Sequence, residues 1–127
     1  MQMAVFAAAL ANRGTVVRPS DDGKAAPAGR TKAARGIDAA VEGMKLCATA
    51  EGTCHAIAEL PKPAAGKTGT ARSLAGPQTH AWFIGFYPAD NPEIAIAVFV
   101  PRGRGETDAA PAALKVFRAF DKNSSLK

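Results

Sequence analysis

Apolar residues return at helical spacing at three places in this chain, and a block between the second and the third has instead the rhythm of short strands separated by turn-rich punctuation. Met3, Phe6 and Leu10 fall on one side of a helix that Asn12, Arg13 and Gly14 bring to a close, because glycine just past the last periodic residue ends helices. Thr15 to Arg18 leads out of it. From Pro19 to Gly36 the pattern lapses into Pro, Gly, Ala and charge without an apolar period, which predicts an exposed connection carrying no chemistry. Ile37, Val41 and Met44 then restore helical spacing over Ile37 to Ala50, and Gly52 stops it.

The block from Ala64 to Val100 has a strand rhythm. A first strand covers Ala64 to Arg72 and ends in the turn-like stretch Ser73 to Pro77. The second, His80 to Tyr87, is apolar on both alternating faces, as a central strand covered on both sides should be. In the third, Ile94 to Val100, large residues mostly alternate with alanine, so one face fills a core and the other admits close packing. Pro88, Asp90, Asn91 and Pro92 preset a tight reversal between the last two strands, which makes them an antiparallel hairpin. Asp108 is placed to cap a last helix that tolerates Pro111 in its first turn and runs its apolar side through Leu114, Phe117 and Phe120. Lys122 to Lys127 reads as a polar tail. The fold class is therefore α+β: an antiparallel sheet of about three strands with helices packed against it, in one domain over residues 1–121 with 19–36 as its exposed loop.

Size and charge narrow the function more than the fold. A chain of 127 residues with 47% apolar content suits one compact domain or a large piece of one. Asn12 and Arg13 interrupt the opening alanine-rich run before it could cross a membrane, and no basic segment precedes Ala4 to Leu10 as a signal peptide requires, so no membrane contact by this segment is expected. The net charge of +5 is spread from Arg13 to Lys127 without a dense block or interleaved aromatics, which argues against nucleic acid as a partner. Cys47 and Cys54, if carried on one helix, would stand about 10 Å apart along its axis, too far to be bridged, and the redox compartment stays open. With His55 and His80 they match no zinc spacing, so no metal is expected and the cysteines read as buried thiols. Trp82, Phe83 and Phe86 read as core, and Arg102-Gly103-Arg104 as a solvated basic connection.

Chemistry concentrates at Gly66-Lys67-Thr68-Gly69-Thr70-Ala71, on the first strand just before its turn. Acyl transfer through a serine needs a cation near the nucleophile, hydroxyls for a substrate carboxylate, and backbone donors aimed at the oxyanion. Lys67 supplies the positive field, Thr68 and Thr70 the hydroxyls, and Gly69 leaves room for a substrate backbone to approach the strand edge as an added strand. A nucleotide-binding loop is a poor alternative, since Pro61 stands where its first glycine belongs.

Lys-Thr-Gly opening a strand after a glycine resembles one of the three motifs of penicillin-binding proteins and serine β-lactamases. The surroundings extend the likeness over roughly Met1 to Phe120. Met1-Gln2-Met3-Ala4 to Asn12 with Val17-Arg18-Pro19 is similar to the family's opening helix and exit, Gly43-Met44 and Gly52-Thr53 to the segment before the motif, and Thr79 to Val98 to its next two strands. The resemblance implies the C-terminal part of a transpeptidase domain, with Lys67 in the nucleophile's network and the hydroxyls of Thr68 and Thr70 on the terminal carboxylate. It also implies that the Thr70 N–H forms half of the oxyanion hole beside Gly69. The implied partners are a peptidoglycan stem peptide ending in D-Ala-D-Ala and the β-lactams that imitate it, with no cofactor, on the outer face of the cytoplasmic membrane. Two further motifs, S-x-x-K and S-x-N, should lie upstream of Lys67, and neither does. Ser124 to Lys127 matches S-x-x-K only by letters, in the wrong chain order. The expectation is a fragment of a longer enzyme, inactive by itself; the alternative is a nucleophile-free binding or structural remnant of the same fold.

Overall fold

The computed structural model describes residues 1–20, 26–30, 34–74 and 76–124. Helix α1 (Gln2–Ala11) ends where Arg13 and Gly14 take φ of 51° and 96°, and the Gly14 N–H turns back to the Ala9 carbonyl at 2.8 Å. This left-handed reversal is what the expected glycine terminator provides. Strand β1 (Thr15–Arg18) then pairs antiparallel with β2 (Ala26–Arg30), with a register shift between Val16 and Val17. The stretch 19–36, expected to be an open connection, thus contains a strand. Ala-Pro-Ala-Gly-Arg has no strand propensity of its own, and pairing with β1 is what makes it extended. Residues 21–25 and 31–33 of the expected loop lie outside the described residues.

Helix α2 (Ala34–Cys47) starts before Ile37 and stops short of Ala50. Its early end overturns the separation of the cysteines. The chain reverses after Cys47, the Cys54 N–H donates to the Cys47 carbonyl at 2.8 Å, and the two residues form a disulfide with Cα atoms 5.1 Å apart. A short 3-10 helix (His55–Glu59) leads into β3 (Ala65–Arg72), followed by β4 (Thr79–Tyr87) and β5 (Ile94–Val100). These three strands form an antiparallel sheet in the order β3-β4-β5, with Thr68 opposite Phe83 and Phe83 opposite Val98. The expected hairpin and central strand are both present.

A π-helical turn (Gly105–Ala109) runs directly into α3 (Ala110–Ser124), which carries on through Lys122, where a polar tail was expected. Asp108 does not cap α3 forwards. Its carboxylate lies inside the turn and accepts the Arg104 N–H and the Thr107 hydroxyl, each at 2.8 Å, and these bonds hold its pKa below the ordinary value. No described helix is long and apolar enough to cross a membrane.

Strand alternation gives the sheet two covered faces. On one, Ala81, Phe83 and Tyr87 pack under Ala109, Ala113 and Phe117, where the Phe117 ring meets Phe83 edge-on at 6.2 Å and lies tilted 5.6 Å from Tyr87. The Phe83 ring lies so close over Gly66 and Gly85 that a Cβ on either would come within 2.6 Å of it, so both positions require glycine. On the other face Ala65 and Phe86 pack with Leu10 of α1 and with Ile37, Val41 and Met44 of α2. Trp82 is half-buried there against the exposed ring of Phe99, 4.6 Å away, so of the three aromatics read as core only Phe83 and Phe86 are fully so.

Candidate functional site on strand β3

Lys67, Thr68, Gly69 and Thr70 occupy the middle of β3, which has β4 on one side and no strand on the other among the described residues. Their side chains do not share one face. Thr68 and Thr70 stand opposite Phe83 and Ala81, on the face covered by α3 and the π-helical turn. Lys67 stands opposite Ile84 and borders an open groove of about 360 Å³ with Phe6, Leu10, Ala40, Gly43 and Met44. The lysine returns to the strand by its length, and its ammonium donates to the Thr68 carbonyl at 2.6 Å. The cation thus returns to the strand's backbone, while the two hydroxyls stand on the opposite face of the pleat.

Each hydroxyl is held by a neighbour distant in sequence. The Gly105 N–H donates to Thr70 Oγ1 at 3.1 Å, which leaves the Thr70 hydroxyl proton for another acceptor. Gly105 can do this because it has no side chain: a Cβ there would stand 2.7 Å from the Gly69 carbonyl oxygen and 2.9 Å from Thr68 Cβ. Thr68 Oγ1 lies 2.8 Å from Thr53 Oγ1, and Thr53 Oγ1 in turn lies 3.2 Å from Cys47 Sγ. At the rim, His55 Nδ1 faces Glu106 Oε1 at 3.6 Å, which ties the segment after Thr53 to the π-helical turn.

The basic connection after β5 is firmly attached. The Thr79 hydroxyl donates to the Gly103 carbonyl at 2.9 Å, the Gly103 N–H returns to the Thr79 carbonyl at 3.0 Å, and His80 Nδ1 lies 2.5 Å from the Pro101 carbonyl oxygen. These bonds fix where the chain enters the turn that presents Gly105. The run 67–70 was singled out in the sequence as the candidate site; Thr53 and Gly105 were not singled out for it. Gly52-Thr53 stood out only as a piece of family likeness, and only the fold brings it against Thr68.

The family model described as the penicillin binding protein transpeptidase domain matches residues 1–120. The peptidoglycan D,D-transpeptidase MrdA of Haemophilus influenzae is 33% identical over 120 residues, taking in 81% of this chain and 18% of that protein. The peptidoglycan D,D-transpeptidase PbpA of Mycolicibacterium smegmatis is 43% identical over 53 residues, 39% of this chain and 11% of the relative. Among solved structures, PBP2 of Pseudomonas aeruginosa in complex with WCK 5153 superposes with a TM-score of 0.75 at 34% identity, covering 94% of this chain and 28% of that one. Penicillin-binding protein A of M. tuberculosis, solved as its imipenem acyl-enzyme complex, gives 0.71 at 29% identity, with 91% and 29% covered. The chain thus spans 18% or less of these curated relatives and under 30% of these solved chains.

Proposed function

Because this chain belongs to the penicillin-binding protein transpeptidase domain family, we propose that it forms the substrate-clamping, C-terminal part of a peptidoglycan D,D-transpeptidase whose serine nucleophile lies elsewhere in the enzyme. The observation that carries this reading is the position of Lys67 to Thr70 on the open edge of β3, with both threonine hydroxyls held by neighbours. An extended stem peptide ending in D-Ala-D-Ala adds to that edge as a strand. Thr68 and Thr70 donate to its terminal carboxylate, and a hydrogen bond to an ionised acceptor is roughly twice as strong as a neutral one. Lys67 supplies positive charge beside the serine, and the Thr70 N–H faces the oxyanion that forms when the serine oxygen attacks the scissile carbonyl. Terminal D-Ala then leaves as the amine, and the acyl group passes from serine to the amino group of a neighbouring stem. A β-lactam carries a carboxylate beside a strained amide and enters by the same clamp.

The working place is the cell envelope, outside the cytoplasmic membrane. The Cys47–Cys54 disulfide supports this, since such bonds persist where the surroundings are oxidising. Fluorescent penicillin labelling tests the function. The full-length protein that carries this chain is expected to become covalently labelled, and Thr68→Val or Thr70→Val to slow labelling about ten-fold or more through loss of a charge-assisted hydrogen bond. The isolated 127-residue chain is expected to stay unlabelled. Label mapped to a residue within this chain, or threonine variants labelled at the unmodified rate, would sink the reading.

A further inference from the structure

Thr68 has one hydroxyl proton, and the clamp needs it to point at the ligand. Its Oγ1 lies 2.8 Å from Thr53 Oγ1, so one of the two hydroxyls donates to the other. Thr53 has a second neighbour, Cys47 Sγ at 3.2 Å. That sulfur is bonded to Cys54 and carries no proton, so in this contact only Thr53 can donate. Two arrangements follow. Either Thr53 donates to sulfur while Thr68 spends its proton on Thr53, or Thr53 donates to Thr68 and the Thr68 proton is released outward. Only the second lets Thr68 bind a carboxylate.

Thr53 is exposed, but the backbone on both sides of it is fixed. Cys54, the next residue, is wholly buried, bridged to Cys47 and hydrogen-bonded to its carbonyl at 2.8 Å. Gly52, the residue before, packs so tightly on the end of α2 that a Cβ there would collide with the Cys47 carbonyl oxygen. The His55 N–H closes the turn onto the Gly52 carbonyl at 3.0 Å. A covalent bridge thus flanks a hydroxyl that contacts β3 and stands to Thr68 as the Gly105 N–H stands to Thr70.

We propose that Thr53 is a positioning residue of the carboxylate clamp, a hydroxyl relay that donates to Thr68 when ligand is bound and so aims the Thr68 proton at the carboxylate, with the Cys47–Cys54 bridge holding it in place. This rests on the clamp proposed above. It touches no reacting atom, so its mark is selectivity for the free carboxylate and not loss of all acylation.

The test measures acylation rates of the full-length protein by a penicillin and by its methyl ester, which lacks the carboxylate charge, and takes their ratio. The ratio cancels differences in the amount of folded protein between variants. Thr68→Val is expected to lower the preference for free acid about ten-fold, Thr53→Val to lower it several-fold, and Thr53→Ser, which keeps the hydroxyl, to restore it. If Thr68→Val lowers the ratio and Thr53→Val does not, the relay is wrong and the clamp stands. If Thr53→Ser fails to rescue, the role of Thr53 is packing and the relay again falls. If Thr68→Val leaves the ratio unchanged, the clamp is wrong and the relay falls with it.

Discussion

The two faces of the three-stranded sheet are built from alternate residues of the same strands, yet they are covered unequally. Under α3, Phe83, Tyr87 and Phe117 have no solvent exposure, and Cys54 and Ile57 close the same cluster from the side of the disulfide loop. Under α1 the cover is partial: Phe6 remains 52% exposed and Phe99 47%, and the groove beside Lys67 is open. The closed face carries the short side chains of Thr68 and Thr70, each held by a hydrogen bond; the more open face carries Lys67, whose long stem tolerates movement. Rigidity is concentrated where short side chains need it.

The sharpest way to break this comparison is to remove an aromatic from each face. Phe117→Ala is expected to cost about 3–5 kcal/mol, enough to unfold a marginal domain, whereas Phe6→Ala should change stability by less than about 0.5 kcal/mol. Chemical denaturation of the two variants checks this, and equal losses would mean that the faces are equivalent.

A smaller effect is expected from reduction of Cys47–Cys54. Opening a bridge between residues 7 apart releases about 2 kcal/mol of unfolded-state restraint, seen as a lower thermal midpoint in reductant. An unchanged midpoint would detach the disulfide loop from the closed face.

The smallest effect sharpens the picture at a single atom. Tyr87 is the one tyrosine of the chain, and burial, helped by its hydrogen bond to Asp121 at 2.8 Å, pushes its pKa up from 10.0 to about 12. The neutral form is the one the fold prefers, so this contribution is whole below pH 10 and fades as pH rises toward 12. Ultraviolet titration of the phenol should show the high midpoint while the melting temperature falls over the same interval. Tyr87→Phe should remove that alkaline loss at a cost of about 1 kcal/mol at neutral pH, and a phenol titrating near 10 would contradict a closed face.

What could be read from the sequence divides along the line between local and distant causes. Strands β3 to β5 were legible because the turn-rich stretches Ser73 to Pro77 and Pro88 to Pro92 separate them, and because β4 is apolar on both faces while β5 alternates large residues with alanine. Lys67-Thr68-Gly69-Thr70 was legible because its chemistry is contiguous. Strand β2 was not, since Pro27 and Gly29 disfavour extension and only β1 imposes it. The disulfide was missed for a related reason: placing both cysteines on one helix assumed that α2 passes Cys47, and the reversal beyond Cys47 brings them together. Thr53 and Gly105 reach β3 from 15 and 35 residues away, a distance no periodicity reports.

If the chain acts as proposed, Gly105 also bears on how the protein could evolve under antibiotic selection. Its N–H steadies Thr70, and the space for a side chain is already taken by the Gly69 backbone. A Cβ at this position would press on the Gly69 backbone and Thr68 Cβ, so any other residue pushes the π-helical turn off the strand and, on the function proposed above, disturbs the clamp for peptide and β-lactam alike. On that same proposal, resistance by that route would cost the cell its own cross-links. Leu74 just past β3 is by contrast fully exposed and has room to change where this glycine has none.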